Sequence, residues 1–130
     1  MQPEPPEPGS ARDWLRRARS DFALACVGPQ PDVMYNELCF HAQQAVEKCL
    51  KAILVDRNIE FPRVHNIAYL FGLLPSDVDL PPEAMEAMAL TTYAVMTRYP
   101  GDYEEITPEM YQDAIRVAYA MPHWAECVVG

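Results

Sequence analysis

His41, Gln44, Lys48 and Lys51 stand three or four residues apart in LCFHAQQAVEKCLKAIL, the stretch from Leu38 to Leu54. At 3.6 residues per turn that spacing puts all four within about 80° of one another, so an imidazole, an amide and two ammonium groups share one ridge of a helix. Such a ridge offers donors and positive charge to a phosphate or a base. It reads equally well as a solvated face held by local pairs, because Glu47 precedes Lys51 by four residues in the favourable orientation. His65, in VHNI, stands just ahead of a further helix, where its ring can cap exposed N–H groups or bond to a carboxylate. The functional alternative gathers His65 with Lys48, Lys51 and Arg98 around a bound phosphate. The histidines at positions 41, 65 and 123 have no metal-ligand spacing, and no metal is expected.

The helix that carries the ridge is predicted over about Tyr35 to Arg57. Leu38, Ala42, Ala45, Val46, Cys49, Leu50, Ala52 and Ile53 fill one apolar arc. Gln43 and Glu47 lie between that arc and the ridge, flanked by Phe40 and Leu54, so apolar groups extend past what one contact needs. A second contact is implied, to another helix, a second copy or a partner, with Phe40, Gln43, Glu47 and Leu54 at its centre. Ahead of it, Ser10 is a plausible cap for a first helix to about Cys26, with Trp14, Leu15, Ala18, Phe22 and Ala25 at helical spacing and GPQPD as the stop. Asn66 caps a short third helix ending near Leu74. Pro82 begins a fourth that runs to about Thr97 and stops before Pro100. Thr107-Pro108-Glu109 starts a fifth, and Pro122 is expected to end or kink it near Ala120, leaving HWAECVVG as a short turn or irregular tail. No segment alternates with period two. The expected fold is all-α, an antiparallel bundle of four to five helices.

At 130 residues the chain is sized for one domain, spanning residues 10 to 130 behind a proline- and glutamate-rich tail over residues 1 to 9. No window has the length and hydropathy of a membrane span, and MQPEPPEPG lacks the basic and apolar regions of a signal peptide, so a soluble cytoplasmic protein is expected. Cys26, Cys39, Cys49 and Cys127 form no C-x-x-C pair and are read as buried free thiols. The net charge of −9 is lopsided: residues 1 to 74 carry 8 basic and 9 acidic groups, residues 75 to 130 only 2 basic and 10 acidic. A surface of that sign repels a phosphate backbone, and nucleic acid would need a local basic patch or a basic partner. The concentrated basic stripe is Arg12, Arg16 and Arg19 at i, i+4 and i+7, with Arg17 nearby. It serves either to neutralise the acidic half or to dock nucleic acid or an acidic partner.

FHAQQAVEKCLKAIL, then FPRVHNIAYLFGLLP, then TRYPGDYEE, in that order, resemble the HEPN family, small helical domains named for nucleotide binding in higher eukaryotes and prokaryotes. The resemblance spans about Ala11 to Ala120. It implies an up-and-down helical bundle, commonly a homodimer, often encoded beside a minimal nucleotidyltransferase in toxin–antitoxin-like pairs. Many such relatives are metal-independent ribonuclease toxins with an R-x(4 to 6)-H motif, in which arginine holds phosphate and histidine acts as acid or base on a 2′-hydroxyl. Here the matching arginine is Arg98, and the spacing reaches Tyr103 instead of a histidine. A phenol with a reference pKa near 10 is a poor base at neutral pH. Arg116 and His123 fit the string as R-x6-H, but eight arginines and three histidines in this chain produce about half a match by chance.

The function implied by the resemblance is therefore a nucleotide-binding or partner-binding domain, non-catalytic or weakly catalytic, working beside a nucleotidyltransferase. Its expected ligand residues are His41, Gln44, Lys48, Lys51, His65 and Arg98, with a nucleotide as ligand and no cofactor required. A ribonuclease toxin using Arg98, Tyr103, Arg116 or His123 is the enzyme alternative, and an interaction scaffold is the third.

Overall fold

Sequence signals that stop and start helices also set their ends in space. The structure is a computed structural model that describes residues 4–96 and 105–130, with side chains described up to Tyr93 and again from Glu105. Helix α1 spans Ala11–Ala25, where the Ser10 hydroxyl accepts from the Asp13 N–H at 3.2 Å and satisfies one of the free donors of the first turn. Helix α2 spans Tyr35–Asp56. It closes in a Schellman turn: Asn58 takes φ +58°, its N–H donates to the Val55 carbonyl, and the Ile59 N–H reaches back to the Leu54 carbonyl at 2.9 Å. Helix α3 (Ile67–Gly72) is capped by the Asn66 side chain, which accepts from the Tyr69 N–H at 3.0 Å.

Two expectations fail here, each for a reason that lies across the fold. The single helix expected from Pro82 to Thr97 is two short ones, α4 (Ala84–Met88) and α5 (Thr91–Met96). At the break the Thr92 hydroxyl donates to the Ala89 carbonyl at 3.1 Å, competing with the helix ladder, and the Thr91 hydroxyl accepts from the Ile67 N–H at 2.9 Å, capping α3 instead. Helix α6 (Pro108–Val129) continues past Pro122 as far as Val129, so HWAECVV is neither a short turn nor an irregular tail, and Gly130 is its cap. Proline removes one backbone bond and costs about 3 kcal/mol inside a helix. Against that loss stand Val117, Ala118, Met121 and Ala125, all buried, and Trp124, which stacks on Phe71 at 5.9 Å and donates its indole N–H to the Asp79 carbonyl at 2.8 Å.

Ring and ion contacts fix the directions of the long helices. Trp14 lies beside Lys51 and Asp21 beside His41 and Lys48, so α1 and α2 are antiparallel. Phe22 meets Tyr119 and the Tyr111 hydroxyl donates to the Ala25 carbonyl, so α1 and α6 are antiparallel too. The Tyr35–Tyr111 contact makes α2 and α6 parallel. Short helices α3 and α5 pack against a further side of α2, and α4 packs against α6 and α3. Helix α2 is thereby the centre of the bundle, and Ala42, Ala45, Val46, Cys49, Leu50, Ala52, Ile53 and Leu54 have no exposed surface. Its excess of apolar residues belongs to contacts inside one chain. Among the described residues there is no strand, and no helix is long and apolar enough to cross a membrane.

Asp13 ties the start of α1 together. Its carboxylate accepts from the Gly9 N–H and from Arg16 and Arg17, each at 3.0 Å. The Gly9 hydrogen bond, followed by Arg17, holds its pKa at about 2. A depressed carboxylate stabilises the fold fully above its unfolded value and loses that contribution as pH falls toward the folded one. Between about pH 4 and pH 2 the first turn of α1 is expected to loosen. Hydrogen exchange should show the amides near Asp13 losing protection in that window, and Asp13→Asn should remove the pH dependence.

Candidate functional site

The residues that advertise chemistry on α2 resolve into two internal clusters, each built around one carboxylate. In the first, Asp21 of α1 places Oδ1 2.9 Å from His41 Nδ1, and its Oδ2 receives the Lys48 ammonium. Asp21 is 7% exposed, and it stands in register with Ala18 and Ala25 on the buried stripe of α1. In the second, Glu47 of α2, 2% exposed, meets Lys51 Nζ at 3.1 Å and His65 Nδ1 at 2.8 Å. The Gln43 amide donates both to Glu47 Oε1 and to the His65 carbonyl, each at 3.3 Å, and the Gln44 amide donates to Gln43 Oε1 at 2.7 Å.

Lys51 belongs to the core more than to a ligand ridge. It is 8% exposed, with its ammonium 5.5 Å from the Trp14 ring centre and 5.7 Å from that of Phe61. A cation so placed is stabilised by two ring faces and one buried carboxylate. The Gln43–Glu47–Lys51–His65 network therefore fastens the segment after α2 onto α2 itself. Gln43 and Leu54 have no exposed surface and Glu47 almost none, so these three meet helices of their own chain; Phe40 stays half-buried, edge-on to the His41 ring. Residues without exposed surface have nothing left to offer a second copy.

Of the remaining candidates, Arg116 and His123 lie among the described residues, and they do not form an acid–base pair within the chain. Arg98 and Tyr103 lie outside the described residues. Arg116 pairs with Glu86 and with Asp113, and the Glu86 hydrogen bond, the larger cause, raises its pKa further above the usual guanidinium value. His123 follows seven residues later on the same helix, about 10 Å along its axis, and its Nε2 lies 3.7 Å from Cys127 Sγ. Among the described residues no three metal-ligating side chains cluster.

Sequence reasoning missed Asp21, the residue on which the first cluster depends. The available signal was a carboxylate at an apolar register position, since a charge is seldom buried without a partner. It also misplaced two of the thiols. Cys39 and Cys49 are buried, and burial pushes the Cys39 pKa up to about 11 and that of Cys49 higher still. Cys26 and Cys127 are exposed. Native protein should release colour from two thiols with Ellman's reagent and from all four in denaturant; four fast-reacting thiols in the native state would contradict this packing.

None of the principal hollows among the described residues is lined by His41, Gln44, Lys48, Lys51 or His65. Two of them run along the seam of α1 and α6. One, of about 860 Å³, is walled by Phe22, Tyr119, Trp124 and three prolines. The other, of about 410 Å³, is lined by Arg12, Arg16 and Arg19 with Leu15 and Val129 as its apolar floor.

Comparison with known proteins agrees with this architecture. Residues 11–128 match the model of the HEPN domain. The crystal structure of TT1696 from Thermus thermophilus superposes with a TM-score of 0.79 at 31% identity, covering 92% of this chain and 98% of that one. ST0689, described as an archaeal HEPN homologue, superposes at 0.69 with 25% identity, covering 93% and 98% of the two chains. No curated protein matches the chain.

Proposed function

The chain belongs to the HEPN domain family, and from that premise we propose that it is a nucleotide-binding or partner-binding domain, non-catalytic or weakly catalytic, that acts beside a nucleotidyltransferase. The supporting observation is the pairing of its polar groups: His41 and Lys48 close on Asp21, and His65 and Lys51 close on Glu47. Acid–base catalysis on a phosphodiester needs an arginine or lysine free to hold phosphate within reach of a histidine free to move a proton. Among the described residues these cations and imidazoles are instead turned toward carboxylates of their own chain, and Arg116 is held the same way. The Arg98 and Tyr103 spacing supports the same reading, because a tyrosine stands where the ribonuclease relatives keep histidine.

The test has two arms. Calorimetric titration with ATP and GTP should give saturable binding, or affinity purification should bring down the nucleotidyltransferase encoded by the adjacent gene. Silence in both arms would end the proposal. As part of the same reading the chain forms a homodimer, and a monomeric mass in sedimentation at tens of micromolar would refute that component.

A further inference from the structure

We propose that the seam between α1 and α6 is a two-part site for a ligand that joins a planar base to phosphates, with the phosphates on Arg12, Arg16 and Arg19 and the base against Tyr119 and Phe22. The inference rests on the nucleotide-binding half of the reading above and gives that ligand a place different from the α2 ridge. The three arginines stand at i, i+4 and i+7, so one face of α1 presents three guanidinium groups to the same 410 Å³ hollow. Planar, permanently charged forks of this kind suit phosphate oxygens.

The charges around them are unevenly committed. Arg16 shares Asp13 with Arg17, and both arginine side chains remain 55% exposed. Arg19 pairs with Glu126, whose pKa that hydrogen bond lowers. Arg12 forms no ion pair among the described residues; Glu7 and Asp56 line a shallower hollow on its other side without bonding to it. In a chain of net charge −9 the stripe concentrates positive charge locally, and Arg12 is its member without a carboxylate partner among the described residues, while Arg16 and Arg19 would have to share theirs with a phosphate.

Arg19 lines both hollows, so the Arg19–Glu126 pair forms the ridge between them. Beyond the ridge, Tyr119 leaves 72% of its surface exposed and packs at 6.0 Å from Phe22, a face on which any base can stack. With a rise of 1.5 Å per residue, Phe22 lies about 9 Å beyond Arg16 and about 15 Å beyond Arg12 along α1. That interval is comparable to the length of a nucleoside triphosphate. A short single strand of RNA carries the same base-and-phosphate chemistry.

The test titrates the full chain with ATP, GTP, inorganic triphosphate and a short single-stranded oligoribonucleotide. Arg12→Ala with Arg16→Ala should weaken nucleoside triphosphate binding at least tenfold, Tyr119→Ala should weaken ATP but not inorganic triphosphate, and Arg63→Ala should leave both unchanged. These substitutions fall on exposed side chains, and circular dichroism checks that the fold persists. An oligoribonucleotide that binds more tightly than ATP, with the same sensitivities, identifies the source of the ligand as a strand. Nucleotide binding indifferent to the arginine pair overturns this placement while leaving the broader reading standing. Absence of binding by every probe overturns this placement and the nucleotide-binding half of the reading together, leaving the partner-binding half to the affinity purification.

Discussion

Replacing Glu47 with alanine should cost about 3 to 5 kcal/mol, because it leaves the Lys51 ammonium buried without its counter-charge. Lys51 is 8% exposed, and the faces of Trp14 and Phe61 stabilise it only in part, so the lower end of that range is the firmer expectation. The same substitution frees the Gln43 amide and the His65 ring, loosening the segment between α2 and α3. For a domain whose total stability is on the order of 5 to 15 kcal/mol, this removes a large share. Urea unfolding should show the midpoint falling steeply, and hydrogen exchange should rise first around His65. A midpoint shift no larger than that of an ordinary surface substitution would mean that the Glu47 cluster contributes nothing to holding the fold.

Leu50→Ala should be of similar size for an unrelated reason. Leu50 has no exposed surface and sits in the second half of α2, the helix that the rest of the bundle encloses, so the surroundings have little freedom to collapse into the space. Leucine-to-alanine losses in cores run from about 2 to 5 kcal/mol, increasing with the cavity that remains. The upper half of that range is expected here, while Leu24→Ala, on a side chain 47% exposed, should stay within about 0.5 kcal/mol. Equal effects at the two positions would contradict the placement of α2 at the centre of the bundle.

What the residues disclosed in advance follows the range of the interactions. The caps at Ser10, Asn66 and Thr107 act within three residues, and each is found where the residue types place it. The apolar arc of α2 is a property of one helix and was equally legible. The break between α4 and α5 depends on Thr91 accepting from Ile67, 24 residues away, and α6 passes Pro122 because Trp124 finds Asp79 and Phe71 across the fold. Neither partner is visible from a window of sequence.

The same limit shaped the candidate site. His41, Lys48, Lys51 and His65 could be named from type and spacing, but Asp21 pairs with His41 and Lys48 over 20 and 27 residues, so their engagement was hidden. The basic stripe of α1 was readable as a stripe. Its hollow was not, because a fifth helix ending near Ala120 would not have brought Glu126 and Val129 against Arg19, Arg16 and Arg12. The HEPN signature in α2 thus marks the family chiefly through residues that hold the bundle together.

Whether the polar cluster of α2 is fold and not ligand site is decided by a double-mutant cycle on Glu47 and Lys51, with methionine at each position and stability read from urea unfolding. A favourable coupling of about 1 to 3 kcal/mol is expected, the double variant losing clearly less than the two single losses together. Strictly additive losses would contradict it.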